Sequence, residues 1–143
     1  MRTVQEVFLE ARNIDEFKKH FKGLDADVWL SCTAPLKHSP NDRLGISAPQ
    51  GVNAINQLMR TGGEWSGTNT DGTGFILACR QIGIEPSENI LRIRGGGSAA
   101  RAIAAAWATV GGLLIPESGR RQLVSGPWDN AVVEGGQAAL GID

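Results

Sequence analysis

The feature that most restricts the fold is a strand, turn, helix and second strand read in succession over residues 90–115. Ile90-Leu-Arg-Ile-Arg94 is a short apolar run of strand composition. Gly95-Gly-Gly-Ser-Ala-Ala-Arg101 follows, then a helix of small residues over 102–110, closed at Gly111-Gly112. Leu113-Leu-Ile115 is the second strand. Two strands joined through a helix make a βαβ unit, whose strands lie parallel, and the chain is therefore of the α/β class. The turn itself fits G-x-G-x-x-A at Gly95, Gly97 and Ala100. The first glycine permits the tight turn, the second lets a pyrophosphate approach the backbone, and the small third residue lets the helix pack close to the strand. Free N–H groups at the helix start then favour phosphate, which points to a dinucleotide site.

The residues after the second strand bear on which dinucleotide. Glu117 stands 22 positions after Gly95, near the spacing of an acid that holds a ribose 2′-OH. Arg120 and Arg121 follow, and paired guanidiniums suit a 2′-phosphate. The two signals point opposite ways; NADP is the expectation and NAD the alternative.

A second unusual stretch is Gly67-Thr-Asn-Thr-Asp-Gly-Thr-Gly-Phe75. Its glycines, threonines, amide and carboxylate disfavour a helix or strand interior. It reads as a loop entering a helix over 75–82, with Asp71 or Thr73 placed to cap it and Gly83 to stop it. Earlier in the chain, Val7-Phe-Leu9 suits a short strand or a helical turn. Asn13 or Asp15 can cap a helix in which Ile14, Phe17 and Phe21 share one face and Gly23 ends the run. A strand over 26–33 leads into Pro35 and Lys37, where the proline stops it and the lysine takes the strand-end position at which α/β enzymes carry reactive groups. Residues 39–51 read as a polar loop and 51–58 as a strand start. Gly62-Gly63 turns a hairpin back through Glu64-Trp-Ser66, and 85–89 has the composition of a linker.

Composition sets outer limits. The 143 residues suit one compact domain or two small lobes, and a net charge of −1 provides no basic field to gather nucleic acid or an anionic membrane. Cys32 and Cys79 have no zinc-type spacing and are expected as reduced thiols. His20 and His38 lack ligand partners at useful spacing, so no metal is expected; His20 reads as surface, and His38 as solvated though placed beside Lys37. Trp29, Trp65, Trp107 and Trp128 read as core or interface residues. No apolar N-terminal segment or membrane-length run is present, so a cytoplasmic protein is the expectation.

Four segments together resemble the shikimate dehydrogenase family. Ser31-Cys-Thr-Ala-Pro-Leu-Lys37 resembles its N-V-T-x-P-x-K motif, and Ala54-Ile-Asn-Gln-Leu58 its A-V-N-T-L segment. Residues 67–75 are similar to G-x-N-T-D-G-x-G-F, and 95–101 to G-A-G-G-A-A-R. The resemblance implies NADP-dependent reduction of 3-dehydroshikimate to shikimate. It gives Lys37 and Asp71 the catalytic roles, Thr33 and Asn56 the substrate hydroxyls, and Gly95, Gly97, Ser98 and Ala99 the cofactor, with Arg120 and Arg121 nearby. It also implies a substrate lobe over 1–86 and a Rossmann-like cofactor lobe over 87–143. The family pattern, including a Ser-x-Ser carboxylate site, extends past both ends of this chain, so each lobe is expected to be incomplete and a second copy or a partner chain could complete the sheet. Departures within the matched part are Gln57 for Thr, Cys32 for Val, Arg94 in an apolar strand, Ser98 for the second glycine of a pair, and Pro116-Glu-Ser118 where N-R-T is usual. The alternative is a weak or inactive relative that binds a nucleotide or a quinate-like acid.

Overall fold

The computed structural model describes residues 4–23, 25–34, 36–38, 44–135 and 140–142. Pro35, residues 39–43, Gly136 and Asp143 lie outside them, and with them the strand-stopping role given to Pro35 and part of the polar loop.

Helix α1 (Ile14–Phe21) forms where the apolar spacing requires it. Asn13 caps it, its side chain accepting from the Asp15 and Glu16 N–H groups. Ile14, Phe17 and Phe21 are buried on one face. That face covers an antiparallel sheet of β1 (Val28–Ser31), β2 (Gln57–Thr61) and β3 (Glu64–Thr68), in the order β1-β2-β3. Phe17, Phe21 and Trp65 pack as an aromatic cluster between helix and sheet. The β2–β3 hairpin turns at Gly62-Gly63, with Thr61 opposite Glu64.

Helix α2 (Asp71–Gln81) follows, then a 3-10 turn (Pro86–Glu88), β4 (Ile90–Arg94), α3 (Ser98–Thr109) and β5 (Leu113–Glu117). A further 3-10 turn (Asp129–Ala131) precedes β6 (Leu140–Ile142). The second sheet is parallel, in the order β5-β4-β6, with Ile90 opposite Leu113 and Leu91 opposite Leu140. The βαβ unit expected over 90–115 is thus present, with a third strand beside it. Leu91, Ile93, Trp107, Leu114 and Trp128 form its core, and Ile76 and Cys79 of α2 join the same cluster. Each large side chain so buried contributes about 1.5–3 kcal/mol. Trp65 is partly buried against the first core, whereas Trp29 is 75% exposed.

α2 and α3 meet at Gly72. A Cβ built there would collide with the Ala102 carbonyl oxygen and lie 2.7 Å from the Ala106 Cβ. No larger residue permits that approach. The two sheets are therefore joined through a helix pair, and Val52 and Ala54 pack on Ala102 beside it.

Several expectations are corrected. Residues 7–9 are neither strand nor helix, and Phe8 is 92% exposed, because nothing there shelters a backbone ladder. α2 starts at Asp71 rather than Phe75, and neither Asp71 nor Thr73 caps it: Thr70 holds the cap position without a side-chain bond, and the Asn69 Oδ1 accepts the Asp71 N–H at 3.0 Å. α3 starts at Ser98 rather than Ala102. Residues 51–56 are not yet strand, since pairing begins at Gln57. The supposed linker over 85–89 is a turn with Pro86 buried, closed by the Asn89 amide donating to the Glu85 carbonyl, and Arg80 of α2 grips Glu85 at its start through two hydrogen bonds.

Candidate active site

Lys37 lies 34 positions before Asp71, yet its Nζ stands 3.0 Å from the Asp71 Oδ2. Two local structures bring them together. After β1 the chain turns, with the Leu36 N–H donating to the Thr33 carbonyl. The Lys37 carbonyl then accepts the Ile55 N–H at 2.7 Å, which seats the lysine against the run before β2. Asp71 is the first residue of α2, where free N–H groups favour a carboxylate. Its second oxygen, Oδ1, accepts from the Asn56 Nδ2 at 2.6 Å.

Asn56 is 8% exposed and its amide is fully engaged by protein groups. Nδ2 also reaches the Thr70 Oγ1 at 3.2 Å, while Oδ1 accepts the Thr70 N–H at 2.9 Å. Asn69 continues the frame by donating to the Ala54 carbonyl at 3.2 Å. Both charged side chains keep a little over a fifth of their surface, so a ligand can reach them. Thr33 is exposed at the near end of the turn. Beside the pair, Trp29, Ser31, Gln57 and Thr70 line an open cavity of about 510 Å³. Gln57 is held there by the Trp29 indole N–H and by Ser31. The Cys32 thiol, half-buried below, is raised by burial, against the pull of the Lys37 charge. His38 is exposed, and its Nδ1 lies 2.8 Å from the Asn53 carbonyl.

The glycine turn lies between β4 and α3. Gly95 takes φ +92°, the left-handed region that glycine tolerates. A Cβ at Gly96 would fall on the Gln122 carbonyl, whereas one at Gly97 would have nothing within 4 Å. The second motif glycine therefore faces open space at the start of α3, where Gly97 is the cap and no side chain closes the end. Ser98 and Ala99 are the first helical residues behind it. This cradle fits a pyrophosphate carried on backbone N–H groups. Residues 119–122 lie against the turn and carry Arg120 and Arg121, both exposed. Arg121 is near enough to Arg101 to help lower the pKa of that guanidinium, whose first cause is burial. Glu117, at the end of β5, is paired with Arg92 of the neighbouring strand.

Among the described residues, no three His, Cys, Asp or Glu stand together as a metal site, and no helix is long and apolar enough to cross a membrane. Sequence reasoning passed over Thr70 and Asn69, which frame Asp71, and Arg101, which reaches the Val52 carbonyl ahead of β2. The one local sign was Asn69 standing two residues before Asp71, an Asx-turn spacing.

An antiparallel sheet with a Lys–Asp pair at one end of its strands, joined to a parallel sheet with an open glycine turn, defines an α/β protein. No family model matches the chain. The NADP(+) shikimate dehydrogenase of Rubrobacter xylanophilus is 49% identical over 103 residues, covering 68% of this chain and 36% of that protein. The shikimate 5-dehydrogenase of Thermus thermophilus, solved in complex with NADP(H) and shikimate, superposes with a TM-score of 0.55 at 27% identity over 67% of this chain and 36% of that one. The ligand-free 5-ketofructose reductase of Gluconobacter sp. strain CHM43 superposes with a TM-score of 0.59 at 30% identity over 74% of this chain and 39% of that one. The chain belongs to the shikimate dehydrogenase family. It spans about a third of the length of the curated relatives it matches, 36% of one and 29% of another.

Proposed function

We propose that this chain carries the catalytic and cofactor-turn portion of an NADP-dependent reductase acting on a ring keto-acid of the 3-dehydroshikimate type. The carrying observation is the 3.0 Å contact between Lys37 and Asp71 at the start of α2. NADPH, when bound, supplies the hydride. The substrate carbonyl carbon accepts it, and its oxygen then needs a proton. Lys37 donates that proton, and Asp71 holds the ammonium in position while Asn56 fixes Asp71. Thr33 takes a substrate hydroxyl, whereas the Asn56 amide, expected to do the same, is already engaged by Asp71 and Thr70 and serves to hold the acid. Gly95, Gly97, Ser98 and Ala99 receive the cofactor pyrophosphate, and Arg120 and Arg121 its 2′-phosphate. Glu117, already paired with Arg92, is then not required for a ribose contact. Residues 1–86 serve as the substrate lobe and 87–143 as the cofactor lobe, with α2 reaching from the first into the core of the second. The test is spectrophotometric: NADP⁺ is added with shikimate, and NADPH formation is followed against NAD⁺ as the competing cofactor.

A second reading is favoured by the cavity wall. Ser31 stands where the family motif has Asn and Gln57 where it has Thr; the two bond to each other, and Gln57 also accepts the Trp29 indole N–H. They would suit a ligand other than shikimate, such as a quinate-like acid or another polyhydroxy ketone, bound with little or no turnover. Binding of quinate without NADPH formation would select this reading.

A further inference from the structure

Arg101 closes the glycine motif and has no task in the reaction above. It lies in the first turn of α3. Its Nε donates to the Val52 carbonyl at 2.9 Å, and its Nη1 to the Gly96 carbonyl at 3.3 Å. One guanidinium thus holds the cofactor turn on one side and a loop of the antiparallel lobe on the other. Val52 is 3% exposed, so the contact sits in the seam between the sheets. The site is costly for a cation. Burial and the nearby Arg121 both disfavour the charge, and no carboxylate pairs with Arg101 among the described residues. Such a charge is a poor stabiliser, and a geometric role explains it better.

What Arg101 holds is the start of a hub. From Val52 to Asn56, successive residues are bonded to different parts of the site. The Asn53 carbonyl meets His38, the Ala54 carbonyl meets Asn69, and the Ile55 N–H meets the Lys37 carbonyl. The Asn56 side chain meets Asp71. The backbone that seats both members of the pair is therefore tied at its first residue to the glycine turn. We propose that Arg101 is a positioning residue that sets the glycine turn against the Lys37–Asp71 pair by holding the Gly96 and Val52 carbonyls on one guanidinium. Its catalytic readout rests on the reaction proposed above. A lysine cannot replace it, because a single ammonium on a flexible stem lacks the planar fork.

The test compares the wild-type chain with Arg101→Lys, and with Arg101→Ala as a harsher variant that risks misfolding. Four quantities are measured: melting temperature, NADP⁺ affinity, kcat and KM for shikimate, and hydrogen exchange over residues 50–56 with and without NADP⁺. Arg101→Lys is expected to keep its melting temperature and NADP⁺ affinity and to lose about tenfold to a hundredfold in kcat with little change in KM. NADP⁺ should slow exchange over 50–56 in the wild type and not in Arg101→Lys. A wild-type kcat in Arg101→Lys, or a loss that merely follows its melting temperature, overturns the proposal. So does NADP⁺ leaving exchange over 50–56 unchanged in the wild type. If the wild type shows no turnover, the proposed reaction fails and exchange alone decides: protection that persists in Arg101→Lys overturns the clamp, and protection lost there supports it.

Discussion

Asp71 shares its carboxylate between two partners: Oδ2 takes Lys37 at 3.0 Å and Oδ1 takes Asn56 at 2.6 Å. The lysine is thus held by an acid that is itself held. A pair this accessible contributes little to stability, typically about 0–1 kcal/mol. Its value lies in orientation.

Asn56→Ala should separate the two effects. It removes the donor to Asp71 and leaves the Thr70 N–H without its 2.9 Å partner. A stability loss of about 1–3 kcal/mol is expected from the denaturation midpoint. Turnover should fall further than the unfolded fraction explains, because Asp71 is released. Unchanged turnover would remove Asn56 from the account.

Gly72→Ala and Gly74→Ala make a matched pair in α2. A Cβ at Gly72 runs into the Ala102 carbonyl, while one at Gly74 meets nothing within 4 Å. The first should cost about 1–3 kcal/mol by forcing α2 off α3. The second should stabilise by about 0.5–1 kcal/mol, since alanine suits a helix interior better than glycine. Thermal melts of the two variants check the contrast.

Much of this fold was legible, for reasons that differ by element. α1 announced itself through Ile14, Phe17, Phe21 and the Asn13 cap. The βαβ unit was legible because apolar runs and glycine turns alternate there. The starts of α2 and α3 were not, because Asp71, Gly72, Thr73 and Gly74, like Ser98, are poor helix formers. Tertiary contact overrides that preference: Gly72 is helical because only glycine fits against α3. Residues 51–56 looked like a strand start because apolar and polar residues mix there, yet their hydrogen bonds scatter to the turn at Lys37 and His38, to β3, to α2 and to α3. No periodicity encodes that. Lys37 and Asp71 were picked out by chemistry and by family resemblance, but their contact depends on the Ile55–Lys37 backbone bond, which no local pattern reveals.

Thiol chemistry gives a pH test of the site. Burial raises the Cys32 pKa, and the Lys37 charge opposes the rise. The thiol is therefore protonated near neutral pH, and alkylation, which needs the thiolate, should be slow there and accelerate as pH rises. Lys37→Ala removes the opposing charge and should slow Cys32 alkylation further. Cys79 is buried and also raised, and should label only on unfolding. Mass spectrometry of alkylated peptides across a pH series measures both.

Cofactor choice is tested at Arg121. If Arg120 and Arg121 hold a 2′-phosphate, Arg121→Ala should weaken NADP⁺ by about tenfold to a hundredfold, the loss of a charge-assisted hydrogen bond. NAD⁺ affinity should barely change. Equal weakening of both cofactors would place Arg121 elsewhere in the site.

The most direct measurement is NADPH formation from NADP⁺ and shikimate by the wild-type chain, Lys37→Ala and Asp71→Asn, each shown to be folded by its melting curve. The account predicts turnover in the wild type and its loss in both variants with little change in melting temperature. Turnover that survives either substitution would contradict the assignment of proton transfer to the Lys37–Asp71 pair.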